Sequence, residues 1–128
     1  MIIIPLIPMA APRPRFSKFG TYNDKKYTVY KQALLVSARS QDKSYFNGAT
    51  KLEVTFYMPI PASLSKVKQK ALNGEFHIKR PDTDNLLKSV KDSLNGIFYK
   101  DDSQICDVVA KKIYSTHPRT EIILKEIK

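Results

Sequence analysis

The chain has 128 residues and sets 22 lysines and arginines against 12 acids, a net charge of +10. That is the length of one domain, residues 1–128, and enough chain to bury a core without covalent staples. The lone cysteine, Cys106, excludes an internal disulfide and reads as a small core residue, and no CxxC or Cys/His cluster suggests zinc. The apolar opening MIIIPLIPMAAP is too short to span a bilayer and is broken by Pro5, Pro8 and Pro12. It also lacks a basic stretch before the apolar run, so neither a signal peptide nor a membrane partner is expected, and the cytoplasm is the expected compartment. The positive excess points to a polyanionic partner, nucleic acid ahead of anionic lipid or of a charge that serves solubility alone.

Residues 2–7 are β-branched and read as a strand, which Pro5 confines to a sheet edge or a bulge. Residues 11–23 read as a basic loop without periodicity. Within it Arg13, Arg15 and Lys18 alternate with Phe16, Phe19 and Tyr22, a mix suited to phosphate contacts with base stacking, although an unstructured basic loop would look the same. Asp24 can cap a helix to about residue 40 whose buried face is Tyr27, Tyr30, Leu34 and Ala38. Residues 51–58 alternate Leu52, Val54, Phe56 and Met58 on one side, the pattern of a half-buried strand. Ser63 can cap a short basic helix that Asn73-Gly74 stops, and Pro81 keeps residues 76–80 extended.

Residues 81–96 form the most informative helix. Asp82 or Asp84 can cap it and Asn95-Gly96 can end it. Leu86, Leu87, Val90, Leu94 and Ile97 fall in one arc; Asp84, Lys88 and Asp92 fall nearly opposite, with Lys91 off that line. A polar turn at 100–104 follows, then two strands, 105–114 and 119–127, expected to form a hairpin around His117-Pro118. His77 and His117 have no metal-ligand spacing and read as structural or surface groups. The order predicts a two-layer α+β fold, a small mixed or antiparallel sheet with helices on one face.

Six of the twelve acids, all aspartates, lie between residues 82 and 107: Asp82, Asp84, Asp92, Asp101, Asp102 and Asp107. A basic chain that gathers half its acids there builds an acidic hole in a positive surface, as a metal-dependent phosphodiesterase would need. Each motif also has a plain reading. Capping and the helix dipole account for one of Asp82 and Asp84, and for that pair taken alone they suffice. The other reading is that the two supply hard oxygen ligands to Mg²⁺. Asp101-Asp102 would ordinarily be solvated, but a chain doubling back could bring them to the same helix end, where like charges need a cation or raised pKa values. Lys88 is either a surface partner of Asp84 at i,i+4 or a cation beside a scissile phosphate.

The run RPDTDNLLKSVKDSLNGIFYKDDSQI (80–105) closely resembles the RusA-like Holliday junction resolvases, endodeoxyribonucleases of bacteria and phages. Their signature is matched at Pro81, Asp82, Asp84, Asn85, Leu86, Lys88, Asp92, Leu94, Asn95, Gly96, Asp101, Asp102 and Gln104. The opening strand followed by PRPRF (12–16) is also similar. The resemblance implies an α+β homodimer that binds four-way DNA junctions and nicks them symmetrically with Mg²⁺, Mn²⁺ being a substitute, and with no organic cofactor. It implies that Asp82, Asp84 and Asp102 are the essential metal-binding carboxylates, that Asp101 is an auxiliary acid and that Lys88 is the catalytic lysine. Arg13, Arg15, Lys18 and Arg80 are the candidate DNA contacts. The rival reading is a non-catalytic basic nucleic-acid-binding module; a third is a nuclease of the same fold acting on other branched DNA or on RNA.

Overall fold

The computed structural model describes residues 1–12 and 25–127 in full, and the backbone alone of 15–17 and 20–22. Its strands are β1 (Ile2–Ile4), β2 (Arg15–Ser17), β3 (Gly20–Tyr22), β4 (Thr50–Pro59), β5 (Ile105–Ser115) and β6 (Arg119–Glu126). Its helices are α1 (Lys25–Gln41), α2 (Lys66–Leu72) and α3 (Thr83–Leu94), with a 3₁₀ turn at Asp102–Gln104.

The main sheet has the order β1-β6-β4-β5. β4 pairs antiparallel with β6 and parallel with β5, so the sheet is mixed. The expected hairpin of the last two strands is therefore corrected: β5 and β6 follow one another in sequence but flank β4. Local alternation cannot distinguish adjacent partners from strands separated by a third. The basic loop is corrected as well, since Arg15–Ser17 and Gly20–Tyr22 pair as a small antiparallel ribbon. β1 sits at an edge as expected but ends at Ile4, because Pro5 has no N–H to continue the ladder; Leu6 N–H turns back to the Ile4 carbonyl at 2.8 Å. The outward N–H and C=O of Ile3 are both taken by the Gln41 side chain at 2.8 and 2.6 Å, which closes that edge.

Along β4, Thr50, Leu52, Val54, Phe56 and Met58 are buried and their neighbours are half-exposed. Tyr30, Leu34 and Ala38 of α1 and Leu86, Val90 and Leu94 of α3 close over them as one core. Each such buried aliphatic contributes about 1.5–3 kcal/mol. Leu87 packs partly against this core, whereas Ile97 lies beyond the helix and is exposed, outside the expected arc. Ser89 and Ser93 are tolerated on the buried face because their hydroxyls donate to the carbonyls of Leu86 and Ser89. Asp24, the expected cap of α1, lies outside the described residues. The cap of α2 is Ser65, whose hydroxyl accepts from Lys68 N–H, rather than Ser63. Cys106 is exposed, not in the core. Among the described residues no helix is long and apolar enough to cross a membrane.

Candidate active site

The more exposed face of α3 carries Asp84, Lys88 and Asp92. Asp82 occupies the N-cap position in extended conformation, yet its side chain makes no capping hydrogen bond. The capping half of the plain reading of Asp82 is therefore not met, while the helix dipole still favours a carboxylate at this position. Asp84 and Asp102 likewise make no side-chain hydrogen bond among the described residues, since none bridges them to any partner. Asp101 differs. It caps the 3₁₀ turn, accepting from Ser103 N–H at 3.0 Å, and hydrogen bonding from the Ser103 side chain first and this backbone N–H second holds its carboxyl below the usual carboxylate range.

One cleft, about 370 Å³, is lined by Asp84, Leu87, Lys88, Lys91, Asp92 and Asp102. The acidic turn thus does return to the α3 face, as a doubling-back chain requires. Gln104 holds it there: its carbonyl oxygen accepts from Asp101 N–H, and its amide donates to the carbonyls of Phe46 and Gly48. Beneath the cleft Tyr99 is fully buried and donates its hydroxyl to the Lys91 carbonyl at 3.0 Å. Burial pushes this hydroxyl's pKa up, and the charges of Asp102, Asp92 and Asp101 push it further in that order.

Lys88 does not pair with Asp84. Its Nζ lies 3.1 Å from Asp92 Oδ2, with the side chain of Lys88 61% exposed and that of Asp92 26%. Asp92 also accepts from the Tyr27 hydroxyl at 2.9 Å, and the tyrosine's pKa is raised by burial first and by this carboxylate second. Asp92 is the residue that sequence reasoning undervalued. Lys91, expected off the functional line, also borders the cleft.

Asp82 lines an adjoining cleft, about 610 Å³, with Arg80, Pro81 and Asn85. The Arg80–Pro81 peptide is cis. Lys112 of β5 fixes this approach by donating to the carbonyls of Lys79 and Pro81 at 2.6 and 2.7 Å. Ala11 N–H donates to the Asn85 carbonyl at 2.9 Å, which brings the start of the basic PRPRF segment beside α3. Of the expected DNA contacts, Arg80 is exposed at this cleft, Arg15 is described only as β2 backbone, and Arg13 and Lys18 lie outside the described residues.

In chemistry Asp82, Asp84 and Asp102 fit a hard divalent cation, being oxygen donors free of competing hydrogen bonds among the described residues. They are not drawn together into a closed ligand set: among the described residues no three His, Cys, Asp or Glu side chains are grouped to hold a metal. Asp84 and Asp102 share one cleft and Asp82 faces the next.

Residues 5–125 match the family described as Endodeoxyribonuclease RusA. The chain belongs to that family. Similarity to a phage protein of the RusA name supports this: the crossover junction endodeoxyribonuclease rusA of Lactococcus phage r1t is 38% identical over 113 residues, 88% of this chain and 77% of that protein. The uncharacterized protein YqaN of Bacillus subtilis (strain 168) is 36% identical over 129 residues, 94% of this chain and 91% of its own length. The RusA match runs from before the basic segment to within β6, so it takes in both clefts and every aspartate named above.

Proposed function

We propose that this protein is a Mg²⁺-dependent endodeoxyribonuclease that resolves four-way DNA junctions by paired symmetric nicks in recombination and repair, working as a homodimer. The observation that carries the reading is the convergence of Asp84, Asp102 and an Asp92-tethered Lys88 on one cleft of an otherwise strongly basic RusA-family chain. Asp82, Asp84 and Asp102 would hold the metal, which when bound lowers the pKa of a water and offsets charge on the phosphate. Asp101 contributes its spare oxygen as an auxiliary acid. Lys88 meets the scissile phosphate and stabilises the charge that develops there. Arg80 beside Asp82, together with the sequence candidates Arg13, Arg15 and Lys18, would hold the DNA arms by their phosphates.

The deciding experiment incubates a labelled four-way junction with and without Mg²⁺, with linear duplex and RNA as competitors. Nicking of the junction only with Mg²⁺, unrelieved by the competitors, is the expected result. Binding without a nick would support the non-catalytic module. Equal cleavage of duplex or RNA would widen the substrate beyond junctions.

A further inference from the structure

The segment that leads into Asp82 carries two side chains for which neither the core nor the proposed chemistry has a use. Residues 74–77 run antiparallel along the free edge of β5: Gly74 N–H donates to the Tyr114 carbonyl, Tyr114 N–H to the Glu75 carbonyl and His77 N–H to the Lys112 carbonyl, each at 2.9 Å. Phe76 pairs with Ile113 across this edge. Alternation then sends Phe76 and Ile78 to one side, where they are 68% and 87% exposed. His77 packs against Tyr114, the rings tilted by 55° with centroids 4.7 Å apart. The Lys112 ammonium fixes the far end of the strip through the carbonyls of Lys79 and Pro81.

Single exposed apolar residues are ordinary. A phenylalanine and an isoleucine two residues apart on a pinned backbone, a few residues before the Arg80 and Asp82 that line a cleft, are not. The charges around the strip decide what covers it. Lys79 and Arg80 follow it and Lys66, Lys68 and Lys70 of α2 precede it, and none of these five is in an ion pair among the described residues. Glu75, the one acid of the strip, stands at the end away from the cleft and on the His77 side of the alternation. A second copy of this chain, with its net charge of +10, would set cations against cations here. DNA offers both complements: phosphates for the cations, and base faces for the apolar pair. Proteins that deform DNA use Phe and Ile in this way, inserting them between base steps while cations hold the flanking backbone.

We propose that Phe76 and Ile78 form a wedge that enters the base stack at the branch point, with Lys79 and Arg80 on the flanking phosphates, so that the unstacked strand is delivered to the cleft at Asp82. This rests on the nuclease reading above and adds how the site recognises a branch.

The test places 2-aminopurine either at the branch point of a four-way junction or mid-arm, and titrates the full-length protein without divalent metal. The wild type should raise branch-point fluorescence and leave the mid-arm probe unchanged. The double variant Phe76→Ala/Ile78→Ala, altered only at exposed positions, should bind within about threefold of wild type, because phosphate contacts dominate affinity, yet lose most of the fluorescence rise. Val36→Ala, an equally exposed apolar residue on α1, should behave as wild type. A double variant that keeps the full fluorescence rise would overturn the wedge. So would a fall in solution mass on mutation, which would give the strip to a protein contact. A wild type that binds no junction at all would instead remove the nuclease reading itself, an outcome distinguishable because affinity, not only fluorescence, is then lost.

Discussion

Asp92 accepts from a tyrosine 65 residues away in sequence while its oxygens face the Lys88 ammonium at 3.1 and 3.3 Å, so the lysine's reach over the cleft is set by α1 as much as by α3. Asp92→Asn keeps the shape and removes the charge that holds Lys88. Junction cleavage should fall about tenfold, near 1.4 kcal/mol of transition-state stabilisation, with junction affinity unchanged. Cleavage at the wild-type rate would reduce the pair to a surface ion pair. Lys88→Ala should likewise lower rate more than affinity; Lys111, exposed on β5, is the proper control because Lys91 borders the cleft. A different pattern is expected from Asp82→Asn, Asp84→Asn and Asp102→Asn, each of which should abolish nicking while leaving junction binding intact or tighter. Removing a negative charge costs a metal ligand but relieves repulsion of the phosphates. Retained nicking in two of the three would refute the assignment. Spacing alone could show that Asp84, Lys88 and Asp92 share a face. It could not choose Lys88's partner, because both acids stand four residues away; the choice is made by Tyr27, through a contact no local pattern records.

At the scale of elements, legibility follows the range of the interaction. The faces of α1, α3 and β4 are written in local periodicity, and Tyr27, Tyr30, Leu34, Ala38, Leu52, Val54, Phe56 and Met58 are all buried as their spacing demands. Strand order is written nowhere locally, which is why β5 and β6 read as a hairpin although β4 separates them. Asp101 and Asp82 show the same limit in reverse: adjacent motifs of like composition, of which one is spent on a cap and the other is not. The segment packed on the β5 edge also predicts a pH response. Burial first, and then the neighbouring Lys112 and Lys79, push the pKa of His77 below its usual 6.5. The folded protein therefore binds this proton less readily than the unfolded chain. The associated stability is complete above pH 6.5 and is lost as pH falls through the lower folded value. The melting temperature of wild type should drop more steeply on acidification than that of His77→Gln, with the two curves parallel above neutrality. Parallel curves throughout would show that His77 does not feel this environment.

At the scale of the whole molecule, one chain carries one candidate site, whereas resolving a two-fold junction takes two nicks. A C2 dimer supplies the second site with the least new structure. Light scattering at micromolar concentration should give twice the chain mass, and a mixed dimer of wild type with Asp82→Asn should nick once and stall. A strict monomer that still makes paired nicks would sink this assembly. The sheet order has a bearing on synthesis as well. β6, the last of the described strands, lies inside the sheet between β1 and β4, so β1 has no neighbour in the sheet until residues 119–126 have been made. The core over which α1 and α3 close cannot be completed on a partial chain, and neither can the cleft that α3 frames. A chain that stops before residues 119–126 would therefore lack the proposed nuclease site along with the closed sheet.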